Sequence, residues 1–273
     1  MLKKLLKYEF KDTATVVPFL YIIALLFAVI AFIAEKTGIE WFKITSSVIL
    51  IIIGISVVIV TFAVVIMRFY KNLYSNEGYL MFTLPVKPQL LLTSKAIVAF
   101  FWIVLSFIVS IVALCVALYV LGIGSTELSE IMSEIKKFGL EKLVYGIIPL
   151  MLISLLYLLG QIFFAITVAN RPTFHNFGIA ASFIVFVATY VVLKIVESIA
   201  SIFVPFSIEF SLVGKVNPSL STKNMVGYVL DSIKGIEPTT IVAGLGGYVF
   251  VVIMIFVLFY LTGRMMKKNV SLR

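Results

Sequence analysis

The chain has 273 residues, of which 62% are hydrophobic and 13% charged, with a formal net charge of +9. A soluble globular domain does not carry that composition. One cysteine, Cys115, rules out a disulfide framework, and one histidine, His175, rules out a multi-histidine metal site.

The first dozen residues, MLKKLLKYEFKD, set Leu2, Leu5, Leu6 and Phe10 against Lys3, Lys4, Lys7 and Lys11 at helical spacing. That pattern predicts a helix over residues 1–12 lying in the membrane interface, its lysine stems snorkelling to the headgroups. Six long runs poor in charge come after it, at about 14–34, 44–68, 89–121, 143–169, 176–203 and 239–263. Each reaches or approaches the roughly 20 apolar residues that a helix needs to cross a hydrocarbon core about 30 Å thick. Lipid offers the backbone no hydrogen-bond partners, so the runs read as helices, and the alternation of a barrel strand is absent. The expected fold is an all-α integral membrane protein with six transmembrane helices in a single domain over 1–273. The first run comes after a charged amphipathic stretch and has no small-residue cleavage pattern, so it is expected to stay on the chain.

Orientation is set by lysine and arginine. Six spans place both termini on one side, and the loops of that side hold thirteen bases against Glu9, Asp12 and Glu77. The opposite loops hold nine bases and ten acids. Bases near span ends are retained in the cytoplasm, so both termini are expected there, in the cell membrane. The basic balance is thereby a topological signal. The bases are dispersed along membrane edges, and no nucleic-acid partner is expected.

Between the spans the sequence predicts short outer helices. STELSEIMSEIKKFGLEK has acids in its first turn, Lys136 and Lys137 in its last and Gly139 as its stop, and a second helix is expected over Thr222–Lys234. Within the fifth span Lys194 and Glu197 are three apart and can pair on one helical face. The stretch IASIFVPFSIEF beyond them reads either as a helix extension or as a shallow re-entrant turn broken at Pro205. Cys115, inside the third run, reads as packing material.

Catalytic parts are scarce. There is no HExxH motif, no GxSxG elbow and no Walker A loop; Gly214 and Lys215 precede a valine and lack a glycine-rich lead. His175 sits in the turn NRPTFHNF and reads as a surface or capping residue. A gradient-driven transporter usually carries acids at mid-membrane, and five of the six runs have none. No enzyme activity, metal or cofactor is expected on this chain.

The most polar segment between two spans is RFYKNLYSNEGYLMFTLPVKPQLLLTSK, from Arg68 to Lys95. Asn76 can cap a short helix, Glu77 suits its first turn and Pro85 ends it, while Pro88 suits the first turn of the next span. A short helix at about 76–84 would display Tyr79, Leu80, Met81, Phe82 and Leu84, a set that suits a protein interface or the headgroup layer.

This segment resembles the loop between spans two and three in bacterial permease subunits of the type 2 ATP-binding-cassette family, especially Gram-positive members with an EGYL-FTLPV core and an SK entering the next span. The six spans, the interfacial helix and the inside termini are also similar to that family. The resemblance implies a coupling helix made of Asn76, Glu77, Gly78, Tyr79, Leu80, Met81, Phe82 and Leu84, docking on a separately encoded ATPase that carries the ATP and Mg. It implies that Arg68, Tyr70, Lys71 and Tyr74 transmit the motion, that a second permease subunit completes the unit, and that transport runs by alternating access. One similar group, phenol-soluble modulin exporters, moves amphipathic peptide toxins, which agrees with charge-free, aromatic spans. A hydrophobic lipid or drug-like cargo, a non-transporting anchor or sensor subunit, and a gradient-driven transporter are the alternatives.

Overall fold

The computed structural model describes residues 1–74, 86–123, 129–130, 133, 136, 141–171, 178–211, 219–222, 224–234 and 240–268. Its helices are α1 (Leu2–Thr13), α2 (Val17–Thr37), α3 (Glu40–Tyr74), α4 (Pro88–Val120), α5 (Glu141–Ala169), α6 (Gly178–Phe203), α7 (Val226–Ile233) and α8 (Gly246–Lys268). Three strands, β1 (Ser207–Ser211), β2 (Ser219–Ser221) and β3 (Thr240–Gly244), complete the described elements. Six of the helices are long and apolar enough to cross a membrane, which makes this a multi-pass, predominantly helical membrane protein.

The chain divides into two compact units, with α1–α4 in the first and α5–α8 and the strands in the second. In the first unit α3 packs along both α2 and α4, and α1 lies on α4. Proline at the starts of α2 and α4 suits a first helical turn whose N–H groups have no partner, and Gly38 closes α2 in the left-handed conformation at φ 69°. Small residues set the helix spacing. A Cβ added to Gly54 of α3 would lie 3.3 Å from the Ala113 Cβ of α4. Nearby Ala31, Leu50, Ala113, Ala117 and Val120 form a core cluster of mostly small side chains. Between lipid-embedded helices the hydrophobic effect contributes little, so such close contact supplies the attraction.

Two helices of this unit are longer than a membrane crossing requires. α3 has 35 residues and α4 has 33. At a rise of about 1.5 Å per residue both exceed a hydrocarbon core of about 30 Å by several turns. The charge-free part of α3 stops at Met67 and that of α4 starts at Ala96, so Arg68–Tyr74 and Pro88–Lys95 carry the two helices past that core at the same end.

In the second unit α5, α6 and α8 pack against one another around Tyr157, Leu193, Val251, Ile255 and Leu258. Lys194 and Glu197 do pair, Nζ to Oε2 at 2.9 Å, and the ammonium also stands 6.0 Å from the Tyr190 ring centre. Beyond α6 the structure departs from the sequence expectation. Pro205 ends the helical path, and the next residues form neither a helix extension nor a re-entrant turn but the central strand of an antiparallel sheet ordered β2-β1-β3. Ser207 stands opposite both Ser221 and Gly244.

The sixth apolar run is accordingly split. Its Thr240–Gly244 part pairs with β1, and α8 starts at Gly246 rather than near residue 239. Thr240, Ile241 and Val242 are β-branched and suit a strand, whereas Gly246 is held where α8 crosses the end of α6: an added Cβ would come within 2.5 Å of the Val204 Cβ. The outer helix expected over Thr222–Lys234 is the shorter α7, which starts at Val226, after β2 has ended at Ser221. Most of the other expected outer helix, and His175, lie outside the described residues. Cys115 is exposed on α4 rather than packed in a core.

Candidate site at the junction of α1, α3 and α4

The amphipathic pattern of residues 1–12 does produce a helix, and its apolar side rests on α4. Leu6 and Phe10 join Tyr21, Val64 and Leu105 around buried Val17, Val98 and Trp102. The Phe10 ring meets Phe101 edge-on with centroids 5.2 Å apart, a geometry that aromatic pairs favour.

The polar contacts of α1 are more specific than its packing. Glu9 Oε1 lies 2.6 Å from Lys95 Nζ, with side-chain exposures of 11% and 5%. That is a nearly buried, charge-assisted bond between residues 86 apart in sequence. One turn on, the Trp102 indole N–H donates to Thr13 Oγ1 at 2.7 Å, and the Thr13 hydroxyl donates to the Glu9 carbonyl at 2.7 Å. The last turn of α1 is thus bonded to α4 at two levels.

α3 takes hold of the same turn beside α4. The Arg68 guanidinium pairs with the Asp12 carboxylate at 2.5 Å and also donates to the Asp12 backbone carbonyl. A helix leaves its last carbonyls without partners and carries a partial negative charge there, so an arginine at that end satisfies both conditions. An open cleft of about 480 Å³ runs beside this junction, lined by Tyr8, Glu9, Lys11, Asp12, Thr15 and Asn72.

Deeper in the same unit three hydroxyls connect α2, α3 and α4. The Tyr21 hydroxyl lies 2.9 Å from Ser106 Oγ, which lies 2.8 Å from Thr61 Oγ1, and Thr61 donates to the Val57 carbonyl at 2.7 Å. The Tyr21 hydroxyl also donates to the Trp102 backbone carbonyl at 3.2 Å, and with the Thr61 proton on Val57 it is Ser106 that donates to Thr61. Ser106 and Thr61 are fully buried, where an unsatisfied hydroxyl would be costly.

The residues singled out from sequence fall in three groups. Arg68 and Tyr74 are engaged, the first with Asp12, the second buried with its ring 6.3 Å from Phe69. Tyr70 is half-buried and Lys71 exposed. Asn76, Glu77, Gly78, Tyr79, Leu80, Met81, Phe82 and Leu84 lie outside the described residues. Sequence reasoning did not single out Glu9, Asp12, Thr13, Trp102 or the three hydroxyls. The available signal was small but physical: Glu9 and Asp12 are the only acids in a helix otherwise rich in lysine, three apart and therefore on one side of it.

Chemically, this junction holds α1 in one position on α3 and α4. Among the described residues no group of three or more His, Cys, Asp or Glu side chains is placed to hold a metal ion. No family model, curated protein or solved structure matches the chain.

Proposed function

We propose that the chain is the membrane subunit of an ATP-driven exporter, with residues 76–84 docking on a separate ATP-binding-cassette ATPase that binds ATP and Mg. The single observation that carries the reading is the segment EGYLMFTLPVK placed between α3 and α4, together with what flanks it: Arg68 before it and Lys95 after it each pair with the same short helix, α1. A displacement of the docked segment therefore acts on three helices together. The hydroxyl series from Tyr21 through Ser106 to Thr61 supports movement of α2, α3 and α4 as one body.

On this reading both termini and the 76–84 segment face the cytoplasm, and two permease subunits assemble with two ATPase subunits. ATP binds the closed ATPase dimer more tightly than the open one, and that difference biases the permeases between two arrangements. The cargo is an amphipathic or hydrophobic molecule, an amphipathic peptide first. Spans with almost no charge and many exposed aromatic and aliphatic side chains, among them Phe183, Tyr190 and Phe256, suit such a cargo.

Association is the test. The full chain is purified in detergent with the ATPase encoded nearest to it, beside Glu77→Ala, Tyr79→Ala and Phe82→Ala variants. A stable complex weakened by these substitutions, with membrane insertion intact, is expected. Unchanged association for all three refutes the docking assignment. A complex whose ATP turnover ignores amphipathic peptide points instead to a non-transporting anchor subunit.

A further inference from the structure

α1 uses its charges unequally. Its two acids are each paired with a base of the protein, Glu9 nearly buried against Lys95 and Asp12 on Arg68 with its side chain 59% exposed. Its four lysines, Lys3, Lys4, Lys7 and Lys11, are all exposed, and none takes part in an ion pair among the described residues. Spaced by one, three and four residues, they form one stripe along the helix, with Tyr8, 70% exposed, in the same stripe. A helix with an apolar side already occupied by α4 and a tyrosine-bearing basic side left open is arranged for a negatively charged layer beside it.

We infer that the lysine face of α1 binds anionic phospholipid headgroups, and that this contact holds α1 in place against α3 and α4. The cleft beside Tyr8, Lys11 and Asp12 lies along the same stripe, and the exposed Lys11 offers it an ammonium that suits a phosphate diester. Glu9 and Asp12 also line this cleft, each paired with a base, so the anionic headgroup is placed on the lysine stripe beside it. Lipid bound on one side of α1 is thereby linked, through Glu9–Lys95 and Asp12–Arg68 on the other, to both helix ends that flank residues 75–85.

This inference rests on α1 lying along the membrane and not on ATPase docking, so the test uses the full chain alone. Native mass spectrometry of the purified protein compares retention of phosphatidylglycerol with phosphatidylcholine. Hydrogen exchange of residues 2–13 is then monitored in nanodiscs of phosphatidylcholine with and without phosphatidylglycerol. The expected result is preferential retention of phosphatidylglycerol and slower exchange of α1 in its presence.

Each lysine near an anionic surface changes affinity by about fivefold, so K3Q/K4Q/K7Q/K11Q should lower the preference by up to about several hundredfold. The corresponding four Lys→Arg changes should preserve it. Should the glutamine variant fail to insert, exchange in the parent chain still decides: equal protection of α1 with and without phosphatidylglycerol overturns the inference. An unchanged lipid preference in the glutamine variant likewise overturns it. Absence of any ATPase complex would refute the exporter reading and leave the lipid result standing.

Discussion

Glu9–Lys95 in the first unit and Lys194–Glu197 in the second are both short ion pairs, yet they are held for different reasons. The second joins residues three apart on one helix, with side-chain exposures of 44% and 23%. Helical geometry alone brings them together, and water screens them. The first joins two helices separated by two spans in the chain and is nearly excluded from solvent. Only the tertiary arrangement creates it, and neither charge could stay buried without the other. A local pair decorates a helix; a long-range buried pair fixes where one helix lies on another.

That difference can be broken experimentally, and the largest effect is expected at the buried pair. Glu9→Ala or Lys95→Ala leaves one charge without its partner and should cost about 3–5 kcal/mol of stability, whereas replacing both by Leu and Met should cost far less or nothing. Chemical unfolding of the detergent-solubilised chain measures both; equal losses for the single and double variants would remove the claim that the pair is mutually required.

Next comes Trp102→Phe, which keeps an aromatic ring near Phe10 and Tyr21 but deletes the N–H that Thr13 accepts. About 1–2 kcal/mol is expected, and Thr13→Val on top of it should add less than it does alone, as partners of one bond do. Additive losses in that double-mutant cycle would show that the bond does not couple α1 to α4.

Ser106→Ala interrupts the hydroxyl series between α2, α3 and α4 at its middle. Hydrogen bonds between membrane helices contribute modestly, so about 1 kcal/mol is expected by the same unfolding assay. A smaller effect, about 0.5 kcal/mol or below, is expected for Lys194→Ala. A loss there matching that of Lys95→Ala would reverse the comparison between the two units.

The same contrast explains what could be read from the sequence. Long apolar runs announce membrane helices because a bilayer imposes their length, and the lysines and leucines of residues 1–12 announce an amphipathic helix because its period is 3.6. Lys194 and Glu197 were legible for the same local reason. The Glu9–Lys95, Asp12–Arg68 and Thr13–Trp102 contacts were not, since nothing within one helix states which distant residue will face it. The sheet was hidden differently. Thr240–Gly244 is continuous with the apolar run of α8, so composition merged the two, and only pairing with Ser207–Ser211 separates strand from helix. Pro205 marked the end of α6 but gave no sign of the strand beyond it.

The local chemistry does allow a mechanical reading of the α1 junction. A segment that pushes or pulls on the ends of α3 and α4 meets resistance at Arg68 and Lys95, both of which lead into α1. Motion is then shared among helices in place of bending one of them. The proposed exporter would need that property, because a docking segment attached to two loose helix ends would absorb movement without passing it on.

The most direct measurement is ATP hydrolysis by the full chain co-reconstituted with the ATPase encoded nearest to it, with and without an amphipathic peptide, for the parent and for the Glu9→Leu/Lys95→Met double variant, whose stability is expected to be close to the parent's. Peptide-stimulated turnover is expected in the parent, and a stable complex with the stimulation reduced is expected for the double variant. Turnover that is indifferent to peptide in the parent, or full stimulation in the double-variant complex, would contradict coupling through the α1 junction.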